Sequence, residues 1–277
     1  MNYSPLLKKI ESFENVNEKL SISKQTYRKI CFHQEISDAI MKKISNKLNC
    51  SVDELIRDEN NTKTSTDFEP FVKWVGGKRQ LMDEIDKLRP KDFNNYIEPF
   101  VGGGAVFCHI KPSNAVINDF NFELVTAYKV IKNKPQELMR LLDEYERFHE
   151  KKGKEFYLKV REMDREEGFR KKNPVEIAAR FIYLNKTGYN GMYRVNSKGY
   201  FNVPWNKKNK VKLYDRDNIE AISKFLKKNK IKIHCGDFEK VLEDAKPGDF
   251  VYLDPPYDLL NEQTFDSYTK DPFGKEG

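Results

Sequence analysis

Apolar residues recur along this chain in two rhythms. Up to about residue 56 they fall at helical steps. Leu6, Leu7, Ile10 and Phe13 share one face, and Ile36, Ile40, Ile44 and Leu48 repeat every four residues. The stretch from Cys50 to Ile56 reads as a cap followed by a short helix. Beyond residue 68 the pattern turns into short apolar runs at 96–100, 115–120, 231–235 and 250–253, with helix-length segments between them. Residues 122–131, 138–148 and 155–163 read as helices, the last two separated by a Lys-Lys-Gly-Lys hinge at 151–154. Pro174 suits the first turn of a further helix through Ile177, Arg180, Phe181 and Leu184. Strands alternating with helices predict the α/β class. The polar stretch 58–67 carries no apolar period and reads as a linker. The predicted organisation is a small all-α domain over 1–58, a linker over 59–68 and a larger α/β domain over 69–277.

Chemistry-bearing residues sit where the predicted strands end. Residues 96–107 read as a strand, the turn Val101-Gly102-Gly103-Gly104, then a helix. Glycines there let backbone approach a cofactor, and the next helix offers free N–H groups. The second run ends at Asp119, the position from which an acid reaches ribose hydroxyls in doubly wound folds. A helix N-cap is the other reading of Asp119. The fourth run stops at Asp254-Pro255-Pro256-Tyr257. Proline fixes its own φ and holds the preceding residue extended, so the chain leaves the sheet stiffly. A carboxylate, a free carbonyl and a flat ring on one rigid loop suit a planar amine.

Five segments occur in order: 71–78 with Trp74 and Lys78, 98–104, 118–121, 188–191 and 254–257. Together they resemble the Dam-type DNA adenine-N6 methyltransferases, the D12 class in its alpha order of motifs. The resemblance covers about residues 68–277. It implies a Rossmann-like sheet that binds S-adenosylmethionine, with a helical target-recognition insertion at about 135–230. It implies transfer of a methyl group to adenine N6 in double-stranded DNA, without a metal. Trp74, Lys78, Phe100, Gly102, Gly104, Asp119, Asp237 and Asp254 fall at cofactor positions. Asp254, Pro255, Pro256 and Tyr257 form the catalytic tetrapeptide. Tyr189, Asn190, Arg194, Pro204 and Lys207 fall in the DNA-contacting segment, with Arg194 on a hairpin where a guanine reader stands. Relatives that read GATC often carry a second arginine near Lys207. Lysine lacks the planar fork, so GATC is an expectation with one departure.

Charge supports an acidic partner. The chain of 277 residues carries a net charge of +7. Between Lys186 and Lys232 there are 13 Lys and Arg against Asp215, Asp217 and Glu220, interleaved with aromatic residues. Such interleaving favours nucleic acid. Cys31, Cys50, Cys108 and Cys235 form no CxxC pair, which argues against metal and disulfide frameworks and for a reducing cytoplasm. No long apolar run suggests a membrane span.

Two further expectations concern the ends. Residues 20–56 resemble the later helices of Cro/C1-type helix-turn-helix modules. Ser23 would cap a helix carrying Lys24, Gln25, Thr26, Tyr27 and Arg28, able to meet phosphates or base edges. A protein-contact bundle is the alternative. Members of the resembled family continue several tens of residues past the tetrapeptide. The sequence is therefore expected to be truncated, half of a split enzyme, or incomplete, with a complementary C-terminal fragment as a partner. A cognate restriction nuclease is a second expected partner. Alternative activities are an impaired fragment acting as a DNA-binding regulator, and methylation of an amino group in RNA or protein.

Overall fold

The computed structural model describes residues 16–31, 37–50 and 67–255, with the single positions 6, 10 and 55. The chain divides into two compact units, Met1–Ser65 and Thr66–Gly277.

In the first unit, helices span Val16–Lys19, Lys24–Cys31 and Asp38–Leu48. Ser23 caps the second, its Oγ accepting from the Thr26 amide at 3.0 Å. The turn ahead of it uses Ser21 in the left-handed region (φ 53°), and Lys43 Nζ donates to the Ser21 carbonyl at 2.9 Å. Leu6, Ile10, Leu20, Ile30, Met41, Ile44 and Leu55 form the core of this unit. Leu7, Phe13, Ile36 and the cap at 51–54 lie outside the described residues.

The second unit is built on a parallel sheet of four strands. These are β1 (Tyr96–Glu98), β2 (Asn114–Asp119), β3 (Lys230–Cys235) and β4 (Phe250–Val251), in the order β3-β2-β1-β4. The order reverses between β1 and β4, and ligands of open α/β sheets bind outside the carboxyl ends at such a point. The helix Phe122–Asn133 is buried along most of its length, as a connection pressed against a parallel sheet must be. Phe68, the last residue of the expected linker, is buried in this unit's core.

The insertion is helical. Pro135–Lys152 and Lys154–Glu162 meet at Gly153, which adopts φ 49°, so the hinge read from the sequence is a glycine break. The helix Pro174–Thr187 carries Pro174 in its first turn, and the Asn173 side chain accepts from Val175 N. Eleven of its residues are buried, which makes it the central post of the insertion. Among the described residues, no helix is long and apolar enough to cross a membrane.

Candidate active site

The carboxyl ends of β1, β2 and β4 bring Glu98, Asp119 and Asp254 to one rim. Between β1 and the next helix the chain turns on Gly102 (φ 48°) and Gly104 (φ 73°). A Cβ on Gly102 would lie 2.6 Å from the Trp74 ring, and one on Gly104 would strike the Tyr128 hydroxyl. Tyr128 Oη donates to the Gly102 carbonyl at 3.1 Å, which fixes the turn from below. Gly104→Ala is expected to cost about 1–2 kcal/mol from its left-handed backbone, plus the clash. Gly104→Ala with Tyr128→Phe should recover part of that loss. Chemical denaturation of the two variants checks this.

Asp119 closes the turn. Its Oδ2 accepts from Gly102 N at 2.9 Å and its Oδ1 from Asn121 N at 2.9 Å. The cap of the following helix is Asn121, whose side chain accepts from Leu124 N, so the cap reading of Asp119 does not hold. Burial pushes the Asp119 carboxyl up to about 6, against the amides of Asn121 and Gly102 that favour its charge. Phe120, directly after it, is half exposed. Phe100 and Phe238 face each other at 5.1 Å. Asp237 is exposed and its Oδ1 accepts from Glu239 N at 2.9 Å, a local turn ahead of the helix Glu239–Leu242, whose cap position is Phe238.

Asp254 lies three residues beyond β4. Lys78 Nζ reaches its Oδ2 at 2.7 Å and donates to the Gly76 carbonyl at 2.8 Å. The Lys78 side chain is largely buried. It ties the Trp74–Gly77 loop to the loop after β4. Pro255 is exposed, and Pro256 and Tyr257 lie outside the described residues. Glu98 is a residue the sequence did not single out. It is buried and accepts from Tyr96 Oη at 2.8 Å. Burial pushes its carboxyl up to about 8, and the nearby Asp254 and Asp119 charges add to this. An acid ending a strand within a glycine-turn motif was the signal that could have found it. Asn118 is another. Its Nδ2 bridges the Pro99 and Gly236 carbonyls, while its buried Oδ1 has no hydrogen-bond partner. Among the described residues, no three His, Cys, Asp or Glu side chains group as metal ligands.

The segment 188–207 forms a second constellation. Tyr189, Asn190 and Gly191 make one turn of 3-10 helix, with Asn190 left-handed at φ 53°, ψ 14°. Asn185 locks this turn to the Trp74 loop, donating to the carbonyls of Lys73 and Gly191 at 2.8 Å each and accepting from Lys73 N at 3.0 Å. Tyr189 is half exposed, and its amide donates to the Pro204 carbonyl at 2.8 Å. Val195 and Phe201 pair antiparallel around the turn at 196–199, which is the expected hairpin. Arg194 Nε donates to Asn202 Oδ1 at 2.7 Å. Lys207 is exposed with φ 64°.

A glycine turn packed against Trp74 and Tyr128, an acid at the end of β2 and an acidic rim suit a cationic nucleoside cofactor. Sheet and site together define a Rossmann-like methyltransferase. Comparison with known proteins makes this specific. Residues 74–277 match the D12 class N6 adenine-specific DNA methyltransferase family, and the chain belongs to it. The chain is 46% identical over 215 residues to the type II methyltransferase M1.LlaDCHI of Lactococcus lactis subsp. cremoris, covering 77% of this chain and 75% of that one. It is 44% identical over 221 residues to the type II methyltransferase M.MjaIII of Methanocaldococcus jannaschii, covering 75% of each. It is 32% identical over 207 residues to the DNA adenine methylase of Escherichia coli K12, covering 74% of this chain and 71% of that one. The enzyme methylates adenine N6 in DNA and depends on S-adenosylmethionine.

Proposed function

We propose that the Lys78–Asp254 pair at the mouth of the glycine turn marks the reacting centre. The observation that carries this reading is the convergence of the loop after β4 with the Trp74 loop beside Gly102. Trp74, Phe100, Gly102 and Gly104 would cradle the cofactor. Asp119 would accept from its ribose hydroxyls, and Asp237 would stand near its adenine. S-adenosylmethionine supplies an electrophilic methyl group when bound. The target adenine must leave the duplex stack before its amino group can be reached. Asp254 Oδ and the Pro255 carbonyl accept the two amino N–H bonds, which turns the nitrogen lone pair out of conjugation with the ring. Pro256 stiffens the loop, and Tyr257 stacks on the extruded base. Lys78 holds the Asp254 carboxylate in place before the base arrives. Catalysis is then mainly orientation and electrostatics.

Double-stranded DNA would lie across the segment 188–212. Tyr189 and Asn190 sit beside the extruded base, Arg194 reads guanine O6 and N7, and Pro204 and Lys207 face the duplex. GATC is the target this arrangement favours, with Lys207 as its departure. Arg194→Ala should relax one base position at a cost on the order of 1–3 kcal/mol of discrimination. Lys208→Ala or Lys210→Ala should weaken all duplexes alike and lower the salt slope. Methylation of a randomised duplex library, read by sequencing N6-methyladenine, tests both. Equal losses on every sequence with Arg194→Ala would reduce it to a phosphate contact.

The Ser23-capped helix of the first unit is proposed as a second DNA-contacting element, through Lys24, Gln25, Thr26, Tyr27 and Arg28. Deleting 1–58 should then lower duplex affinity while sparing the rate at saturating DNA. A complementary segment is the other proposed partner. Among the described residues β4 pairs with β1 alone, so its outer edge is where a further strand would add. A cognate nuclease cutting the same unmethylated site, and a cytoplasmic location beside the DNA, complete the proposal.

A further inference from the structure

The insertion hides an ion cluster that nothing in the chemistry of methyl transfer requires. Arg180 is completely buried in the helix Pro174–Thr187. Its Nη1 binds Glu123 Oε2, its Nη2 binds Asp164 Oδ2 at 2.7 Å, and it donates to the carbonyls of Val160 and Arg161. The guanidinium lies against the rings of Phe169 and Phe201, 5.0 and 6.0 Å from their centroids. Burial works against its charge, but the Glu123 and Asp164 carboxylates outweigh that and hold the group above its ordinary value.

Both carboxylates have a second partner, and both partners belong to the recognition hairpin. Glu123 Oε1 accepts from Tyr193 Oη at 3.0 Å. Asp164 Oδ2 accepts from Phe201 N at 2.7 Å. Arg165, paired to Asp164 at 3.0 Å, also donates to the Phe201 carbonyl at 3.4 Å. Tyr193 and Phe201 stand immediately before Arg194 and Asn202, the pair joined side chain to side chain at 2.7 Å. One guanidinium therefore anchors both arms of the hairpin at the residues next to the base reader. The Tyr193 ring stacks on Trp74 with centroids 5.9 Å apart, and Trp74 underlies Gly102. The hairpin and the cofactor turn share this aromatic contact.

A buried ion cluster gains little stability over apolar packing, because desolvation offsets its attraction. Its use is to admit one geometry. Arginine suits this, since its planar fork meets two carboxylates and two carbonyls at fixed angles, which lysine cannot do.

We propose that Arg180, with Glu123 and Asp164, is the positioning group that aims Arg194 and thereby sets discrimination at the base pair Arg194 reads. The proposal rests on Arg194 as the base reader, and the test separates the two claims. The full chain and its Arg194→Ala, Arg180→Lys and Tyr193→Phe variants methylate one duplex library that randomises the bases around a single adenine. Tyr193→Phe removes the hydroxyl's bonds to Glu123 and Asn121 and keeps the ring on Trp74, so its fold survives. Arg194→Ala is expected to relax one position by roughly tenfold or more. Arg180→Lys and Tyr193→Phe are expected to relax that same position several-fold and leave the others unchanged. Adding Tyr193→Phe to Arg194→Ala should relax it no further, since the two act through one group. If Arg194→Ala relaxes a position but Tyr193→Phe slows every sequence by the same factor, or relaxes a different position, the cluster is merely structural and the proposal falls. If Arg194→Ala relaxes nothing, the base-reader assignment fails and the proposal with it. Should Arg180→Lys not fold, Tyr193→Phe decides on the same terms.

Discussion

Asp254→Ala is expected to lower methyl transfer by on the order of 10²–10³-fold or more, while duplex affinity stays within a few-fold. The two readouts separate because they rest on different groups. Affinity is expected to come mostly from phosphate contacts, proposed above for the basic segment 207–212, which the substitution does not touch. On the proposed mechanism, turnover depends on an acceptor at the extruded amino group. The lost Lys78–Asp254 pair is partly exposed, so its removal should cost no more than about 1 kcal/mol of stability. Loss of activity therefore cannot be ascribed to unfolding, and a thermal melt alongside the assay will show this. Asp254→Asn is the finer test. The amide keeps one acceptor but turns a donor toward the amino group, and it loses the attraction to Lys78. Turnover near the parent rate in Asp254→Ala would remove Asp254 from the reacting centre.

What the sequence reveals about this site follows from how local the signal is. Each strand is a short apolar run ended by a residue that cannot continue it, so β1 to β4 are legible from one window each. The glycine turn, Asp119 and Asp254 are legible for the same reason, as they sit at those ends. Ser23, Pro174 and the Gly153 break follow from capping and backbone rules that act within a few residues. Partners across the chain are another matter. Lys78 and Asp254 lie at opposite ends of the domain sequence and meet only because the strand order reverses beside β1. Glu98 looks like one more acid before a proline, and its burial comes from neighbours on β2 and β4. Arg180 fits the apolar stripe of its helix at the step from Ile177, a place where a charge is out of pattern. That oddity was visible, but its meaning needed Glu123 and Asp164, which arrive from two other segments.

Glu98 gives the enzyme a pH dependence of stability that one substitution should remove. Burial raises its carboxyl from an ordinary 4.5 to about 8, so the folded protein keeps a proton that the unfolded chain releases. The sign follows directly. The contribution is fully present below about pH 4.5 and is lost as pH rises through 8. Asp119, raised from 3.8 to about 6, acts in the same sense over a lower window. Stability of the cofactor-free protein should therefore fall between pH 5 and pH 8, by an amount on the order of a few kcal/mol. Glu98→Gln keeps an acceptor for Tyr96 Oη and has no proton to lose. Its unfolding free energy should be nearly flat above about pH 7, where Asp119 has titrated, and should exceed the parent's at pH 8. Urea unfolding of both proteins at pH 5, 6.5 and 8 measures this. Parallel curves would mean that Glu98 is already ionised in the folded state. The expected divergence of the curves toward pH 8 would instead show the opposite. Glu98 would be neutral in the folded protein, with burial as the main cause.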